Sequence, residues 1–216
     1  MIVSNPTPAS TDAIALTALR SVIAEIRAGR PVLVLDDAQR ENEADIVCAA
    51  ELASPGVMAM MIREGSGIVC LCIKPDKASE LKLRPMVEVN RSRYATAFTQ
   101  SIDAAHGVST GVSAADRIQT IRCALRSTLE RNELVSPGHV FPLIARAGGT
   151  LERDGHTEAA VDLPALAGLA PAGVLCELMN ADGTMARGEQ VVRFAHMHGL
   201  ACTTVAAIAA YRRAAA

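Results

Sequence analysis

Aromatic side chains are scarce in this sequence of 216 residues, which contains no tryptophan, two tyrosines and three phenylalanines. Stacking on aromatic rings is therefore not a plausible way for this chain to recognise nucleic acid bases or sugars. An excess of one charge is also absent, because 21 Lys and Arg residues face 23 Asp and Glu residues, for a formal net charge of -2. The sequence offers no general attraction to nucleic acid or to an anionic membrane surface.

Long hydrophobic runs are absent as well, since no stretch of about 18 apolar residues is uninterrupted. Residues Met1 to Pro6 lack both a basic segment and an apolar segment of the kind found in secretion signals. We therefore expect a cytoplasmic protein that neither spans nor binds a membrane. Six cysteines lie scattered through apolar segments, which is typical of reduced core residues: Cys48, Cys70, Cys72, Cys123, Cys176 and Cys202.

Strand and helix patterns alternate along the chain without an internal repeat or an obvious linker. Together with 50% hydrophobic residues, this predicts one domain over residues 1–216, with helices packed on a mostly central, mixed sheet in an α/β fold. An N-terminal helix ends at Gly29, and a helix closes the chain. The predicted strands are 32–35, 67–73, 94–102, 139–145, 173–178 and 201–205. The remaining predicted helices are 54–63, 113–126, 158–169 and 187–198.

Five carboxylates occur within ten residues, directly after the predicted strand 32–35. They are Asp36, Asp37, Glu41, Glu43 and Asp45. Ligands of open α/β sheets bind at the carboxyl ends of strands, and crowded carboxylates repel each other unless a cation joins them. Oxygen ligands at this density suit Mg²⁺ or Mn²⁺ better than zinc, with Arg40 holding one carboxylate in place. A solvated acidic loop is the alternative, because charged runs usually face water.

A loop of small residues at 107–113 precedes the predicted helix 113–126. Ser113 and Asp116 fit a capping box, which would direct backbone N–H groups and the positive end of the helix into this loop. The hydroxyls of Ser109 and Thr110 would add donors for a phosphate group. The loop matches neither a Walker sequence nor a dinucleotide glycine pattern, and capped helix starts are common, so this signal is weak alone.

A second polar cluster, residues 153–158, lies in a turn before another predicted helix. Arg153 and Thr157 offer a guanidinium and a hydroxyl for a phosphate, and His156 offers a metal ligand or a proton carrier. His139 stands between residues that restrict the backbone and can aim its ring, although a lone histidine is more often structural.

Glu177 interrupts the otherwise apolar strand 173–178. A carboxylate in such a strand must be paired, bound to metal or raised in pKa, which suits a general acid or base. An exposed strand end is the alternative.

Six stretches of the sequence together resemble the 3,4-dihydroxy-2-butanone 4-phosphate synthase family, which acts on ribulose 5-phosphate in riboflavin biosynthesis. They follow the order of the family and span nearly the whole chain. The stretches are 34–45, 65–70, 110–117 (Thr-Gly-Val-Ser-Ala-Ala-Asp-Arg), 137–143 (Pro-Gly-His-Val-Phe-Pro-Leu), 155–158 (Gly-His-Thr-Glu) and 172–187.

This resemblance implies a three-layer α/β fold with a mixed, twisted sheet and helices on both faces. It also implies a homodimer and Mg²⁺ or Mn²⁺ as the cofactor. The implied reaction removes C4 of ribulose 5-phosphate as formate and gives the four-carbon phosphate. Some relatives carry a fused GTP cyclohydrolase II domain, and because this chain ends at Ala216 we expect it to be monofunctional.

The resemblance also assigns roles to residues. Glu41 and His156 would bind the metal ion, and His139 and Glu177 would be the essential acid–base residues. The residues expected to bind substrate are Arg40, Glu41, Asp45, Thr110, Arg153, Asp154, Gly155, His156, Thr157 and Glu177.

Two other functions use the same residues. A metal-dependent sugar-phosphate isomerase or aldolase-like lyase would form the enediolate and stop there, without releasing formate. A non-catalytic module that binds nucleotides or sugar phosphates would bind its ligand without a divalent ion.

Overall fold

The computed structural model describes residues 8–215, with side chains described from residue 18 onward. The predicted absence of a leader concerns residues 1–6, which lie outside the described residues. The strands are β1 (Val32–Leu35), β2 (Ala44–Ala49), β3 (Cys70–Ile73), β4 (Ile102–Ala104), β5 (Leu134–Ile144), β6 (Ala172–Glu177) and β7 (Cys202–Thr204). The helices are α1 (Pro8–Arg27), α2 (Pro55–Glu64), α3 (Pro75–Glu80), α4 (Ala114–Arg126), α5 (His156–Leu166), α6 (Glu189–His198) and α7 (Val205–Ala215).

The strands form one mixed sheet in the order β4-β5-β3-β6-β2-β1-β7. Strand β1 pairs with β7, and β3 with β5, in parallel, whereas the other neighbouring strands are antiparallel. Strand β2 is buried along its whole length, because helices cover both faces of the sheet. The predicted α/β fold with a mixed sheet is confirmed.

Two hydrophobic layers separate the sheet from its helices. On one face, Met61 of α2 and Ile121 of α4 pack with Ile46 of β2. On the other face, Ile26 of α1 and Ile208 of α7 belong to the layer that contains α5 and the opposite side of the strands. The strands alternate between these layers, as side chains of successive residues point to opposite faces. This is the predicted arrangement of helix, sheet and helix.

Several helix boundaries follow the local signals in the sequence. Helix α2 begins after Ser54, whose Oγ accepts a hydrogen bond from the Val57 N–H at 3.3 Å. Helix α4 begins after Ser113, which accepts from the Asp116 N–H at 3.1 Å. Gly199 ends α6 in the left-handed conformation, with φ of 63°.

The strand predicted over 94–102 is wrong for most of its length. Strand β4 begins only at Ile102, and Phe98 and Thr99 form isolated bridges to Leu143 and Pro85. The residues before them turn instead, because Ala95 adopts a positive φ of 49°. The side chain of Tyr94 hydrogen-bonds to the loop after β1, so this segment packs against that loop and does not extend the sheet.

The cysteines are unpaired, and all but Cys202 are buried, as expected for core residues. Cys70 and Cys72 share one face of β3 and pack in the hydrophobic layer. Burial raises the pKa of the Cys48 thiol to about 12. Within residues 8–215, no helix has both the length and the apolar character needed to cross a membrane.

Candidate active site

The acidic loop after β1 is folded around the side chain of Asp36, which is only 1% exposed. Its carboxylate accepts hydrogen bonds from the Glu41 N–H at 3.0 Å, the Glu43 N–H at 2.9 Å and Arg40 Nη1 at 2.9 Å. Burial favours the neutral carboxyl, but these hydrogen bonds outweigh it and lower the pKa of Asp36 below its ordinary value. Asp37 is exposed, so it alone of the five carboxylates fits the solvated-loop interpretation.

The register of the sheet brings carboxylates from three strands together. Asp45 at the start of β2 pairs with Val34 of β1 on one side and with Glu177 of β6 on the other. Because β2 runs antiparallel to both neighbours, its first residues lie beside their carboxyl ends. The acidic loop, Asp45 and Glu177 therefore lie at the same end of these three neighbouring strands.

His156, the first residue of α5, faces this end of the strands from the neighbouring layer. Its Nδ1 lies 3.7 Å from Glu41 Oε2 and 3.8 Å from Asp45 Oδ2. Ligand atoms of Asp36, Glu41 and His156 lie within 4.8 Å of one another. Asp45 Oδ1 and His156 Nε2 are buried without a hydrogen-bond partner among the described residues. Carboxylate oxygens, an imidazole and unsatisfied buried atoms fit a divalent ion.

The buried charges shift each other's protonation. Burial raises the pKa of Asp45 to about 7, helped by the nearby carboxylates of Glu177, Glu43 and Glu41. For His156 burial acts in the opposite direction, but the carboxylates of Asp45, Glu41 and Asp36 outweigh it and raise its pKa to about 9. The metal-free site therefore holds a proton on His156 at neutral pH.

Glu177 receives a hydrogen bond that no local sequence pattern indicates. Ser66 Oγ donates to Glu177 Oε2 at 2.6 Å, and the Ser66 N–H donates to the Glu177 carbonyl at 2.8 Å. A Cβ atom on the preceding Gly65 would lie 2.7 Å from Cys176 Sγ, so only glycine lets the turn approach β6 this closely. The 65–70 stretch thus positions Glu177. Cys70 itself is buried and does not line the cavity that contains Glu177.

Arg153 is held at the other side of the same cavity. Its Nη1 donates to Glu158 Oε2 at 2.6 Å, and its Nη2 donates to the Tyr94 carbonyl at 3.1 Å. A Cβ atom on Gly155 would lie 2.1 Å from Arg153 Nη1, so glycine is required for this ion pair. Gly155 also leaves α5 without a side-chain cap, and the first N–H groups of the helix have no helical acceptor.

Tyr94 links both arginines, which is a second contact that the sequence does not indicate. Its hydroxyl donates to the Arg40 carbonyl, and the Arg40 guanidinium lies 4.8 Å from the centre of its ring. Its backbone carbonyl is the acceptor for Arg153. Tyr94 therefore fixes the distance between the acidic loop and the start of α5.

Most of the predicted site residues converge on one cavity of about 190 Å³. Those that line it are Arg40, Glu41, Asp45, Arg153, His156, Thr157 and Glu177, together with Glu43, Thr96, Phe98, Leu143 and Leu175. Asp154 is exposed and lies outside this lining. Thr110 and His139 are also outside it.

His139 and Thr110 belong to a separate cluster around Asp103. Asp103 Oδ2 lies 2.8 Å from His139 Nδ1, and its Oδ1 accepts from the His139 N–H at 3.0 Å. The loop that contains Thr110 packs against this pair so closely that a Cβ atom on Gly111 would lie 2.2 Å from Asp103 Oδ2. The carboxylate fixes the orientation of the imidazole, as a proton-transfer residue requires.

The structure gives Ser109 a partner within the protein. Its hydroxyl donates to Asp116 Oδ2 at 2.7 Å, and its N–H donates to Asp116 Oδ1 at 3.0 Å. The Gly111 N–H is taken by the same carboxylate at 3.2 Å. Asp116 thus already occupies the anion position of this loop, and Thr110 remains exposed.

A sequence model of the 3,4-dihydroxy-2-butanone 4-phosphate synthases matches residues 20–211. The chain belongs to this synthase family. The synthase of Ralstonia nicotianae is 59% identical over 210 residues, which cover 97% of this chain and 92% of that protein. An Escherichia coli synthase is 54% identical over 196 residues, which cover 91% of this chain and 90% of that protein.

Solved synthase structures share the fold. A two-domain synthase from A. baumannii superposes with a TM-score of 0.85 at 42% identity, covering 90% of this chain. This chain spans 57% of the length of that two-domain protein. A synthase in complex with two magnesium ions superposes with a TM-score of 0.83 at 39% identity, covering 89% of this chain and 95% of that protein.

Proposed function

We propose that this synthase family member converts D-ribulose 5-phosphate to L-3,4-dihydroxy-2-butanone 4-phosphate and formate, as a lyase of riboflavin biosynthesis that depends on Mg²⁺ or Mn²⁺. The observation that carries the proposal is the cavity in which Glu41, His156 and Glu177 meet Arg153. It combines metal ligands, a titratable carboxylate and a phosphate-binding group within reach of one small sugar phosphate.

Glu41 and His156, joined by Asp36, would hold the divalent ion. Their geometry and the unsatisfied His156 Nε2 support this assignment. When bound, such an ion would supply Lewis-acid chemistry, which would ease removal of the C3 proton of the substrate by a base.

Arg153, Thr157 and the start of α5 would bind the phosphate group. The uncapped N–H groups at the helix start supply donors and a positive dipole, and Arg153 supplies the positive charge. Arg40 and Asp45 then contact the sugar end. Binding at both ends keeps the chain of the substrate oriented between the acidic loop and α5.

Glu177 is our candidate for a proton-transfer residue within the cavity. Its carboxylate keeps one oxygen hydrogen-bonded to Ser66, which fixes its direction. Removal of the C3 proton, loss of the C1 hydroxyl as water, migration of the carbon skeleton and release of formate each require a proton to move. More than one titratable group is therefore needed, and His139 with its Asp103 partner is the second.

A homodimer explains how His139 and Thr110 take part although neither lines the cavity of its own chain. We propose that the Asp103–His139 cluster of one subunit completes the cavity of the other. Symmetric dimers repeat such a contact twice, which gives two equivalent composite sites.

Formate release from ribulose 5-phosphate tests the proposed function. We expect formate in step with substrate loss in the presence of Mg²⁺, none with EDTA, and recovery when Mg²⁺ or Mn²⁺ is returned. Isomerisation without formate would instead indicate the isomerase or aldolase-like alternative, and metal-independent binding without turnover would indicate a binding module.

Two substitutions test the proton-transfer roles. His139→Ala and Glu177→Gln should leave folded dimers whose formate production is lower by about 100-fold or more. The matched controls are His106→Ala and Glu189→Gln, which change exposed residues outside the cavity and should retain full activity. Near-normal formate release by His139→Ala or Glu177→Gln would remove that residue from the mechanism.

A further inference from the structure

A larger cavity, of about 550 Å³, lies near the end of the strands opposite to the candidate active site. Strand β6 connects the two, because Ala172 lines this cavity and Glu177 lines the other. Five residue steps along a strand correspond to about 17 Å. A ligand in this cavity would therefore be separate from the sugar phosphate in the active site.

Basic side chains from two parts of the chain surround this cavity. Lys74 and Lys77 come from the end of β3 and from α3, and Arg122 and Arg126 come from α4. One carboxylate, that of Glu51, also lines the cavity. The local excess of positive charge contrasts with the net charge of -2 for the whole chain.

Three of these cations form no close ion pair with the part of the chain whose side chains the structure describes. Lys77 donates to Glu80 Oε2 at 2.8 Å and to the Ser127 carbonyl at 2.7 Å. Among the residues from 18 to 215, Lys74, Arg122 and Arg126 form neither an ion pair within 4.0 Å nor a side-chain hydrogen bond. Arg122 and Arg126 are four residues apart on α4, so their like charges are neighbours and repel each other. An anion between them and Lys74 would relieve this repulsion.

The rest of the lining is apolar. Leu125 of α4 lies between the two arginines in sequence, and Ala170, Pro171 and Ala172 add apolar lining from the segment at the start of β6. The volume falls in the range of cavities that hold small organic ligands, of about 300 to 1,000 Å³. The lining contains neither histidine nor cysteine, so the features indicate binding and not catalysis.

We propose that this cavity binds an organic phosphate, with its phosphate group on Lys74, Arg122 and Arg126 and its apolar body against Leu125 and Pro171. The guanidinium groups suit a phosphate because they donate paired hydrogen bonds to its oxygens. An apolar body adds affinity by removing the leucine and proline surfaces from water.

Titration calorimetry with 1-naphthyl phosphate tests this site on the purified full chain. We expect saturable binding, with inorganic phosphate binding more weakly and 1-naphthol, which lacks the phosphate, not binding. The double variant Lys74→Ala/Arg122→Ala should weaken 1-naphthyl phosphate binding at least tenfold. It should leave formate production and the melting temperature unchanged, because both side chains are exposed and outside the active site.

Two further variants separate this cavity from the active site and from general charge effects. Arg153→Ala should retain 1-naphthyl phosphate binding if the ligand occupies the basic cavity. The control Arg20→Ala/Arg63→Ala removes two exposed cations elsewhere and should also retain it. Absence of binding, or binding that is lost with Arg153→Ala but kept in Lys74→Ala/Arg122→Ala, would overturn the proposal.

Discussion

Tyr94 bridges the two sides of the candidate active site through three different groups. Its hydroxyl holds the Arg40 carbonyl, its ring lies against the Arg40 guanidinium, and its own carbonyl accepts from Arg153. A single residue thus sets the relative position of two groups that we assign to substrate binding. We regard it as a positioning residue.

We predict that Tyr94→Phe raises the KM for ribulose 5-phosphate by about fivefold, because one neutral hydrogen bond contributes about 1 kcal/mol. Tyr94→Ala should raise it further, since the contact with the Arg40 guanidinium is lost as well. Steady-state formate assays measure both. Tyr211→Phe is the matched control, because Tyr211 packs in the hydrophobic layer on α7 and should leave KM unchanged. Equal KM values for Tyr94→Phe and the wild type would show that the hydroxyl does not position Arg40.

If His156 binds the metal ion as proposed, metal binding is coupled to the release of a proton. Its pKa of about 9 in the metal-free protein means that the imidazole carries a proton at neutral pH, whereas a metal ligand must be deprotonated. Below pH 9 each bound ion therefore displaces that proton, and affinity for Mg²⁺ should rise by about tenfold per pH unit between pH 7 and 9.

Calorimetry in buffers of different ionisation enthalpy counts the protons released. At pH 8, where Asp45 with its pKa of about 7 is already mostly ionised, we expect about one proton per chain. The release should disappear above pH 10, and His106→Ala should behave as the wild type does. An affinity for Mg²⁺ that does not vary with pH would exclude His156 as a ligand.

At the scale of helices and strands, the sequence signals that correctly predicted element ends are local. Ser54, Ser113 and Gly199 mark helix ends because a cap depends on groups within three or four residues. The strand prediction around Tyr94 was wrong because the conformation of this segment is determined by contacts with Arg40 and Arg153, which are distant in sequence. The hydrogen bond between Ser66 and Glu177 could not be predicted for the same reason. It depends on how distant parts of the chain pack together, although Ser66 belongs to one of the stretches that resemble the family.

Ser113 offers a direct test of how much one cap contributes. Ser113→Ala should lower the free energy of unfolding by about 1 kcal/mol, since the Asp116 N–H loses its acceptor at the start of α4. Ser113→Thr keeps a hydroxyl acceptor and should recover most of the loss. Urea unfolding curves measure the difference, and coincident curves for the alanine variant and the wild type would show that the cap is not stabilising.

At the scale of the whole molecule, the groups assigned to one reaction are divided between two regions of each chain. The cavity holds Glu41, His156 and Glu177, whereas His139 is fixed by Asp103 outside it. The family motifs include residues of both regions but carry no information on which chain supplies which residue. The position of His139 outside the cavity raises the question of which subunit it serves. In the proposed homodimer, His139 of one subunit completes the cavity of the other.

Co-expression of two inactive variants tests that answer. In a heterodimer of Glu41→Gln and His139→Ala, one cavity combines an intact Glu41 with an intact His139 from the other subunit, and the second cavity carries both defects. Heterodimers purified with two different affinity tags should therefore recover about half of the wild-type formate production. The control pair Glu41→Gln and His156→Ala should stay inactive, because both residues belong to the cavity of the same chain and each heterodimer site keeps one defect. If the first pair is as inactive as the control pair, His139 acts on the cavity of its own subunit, which would require the Asp103–His139 cluster to move toward Glu177 when substrate binds.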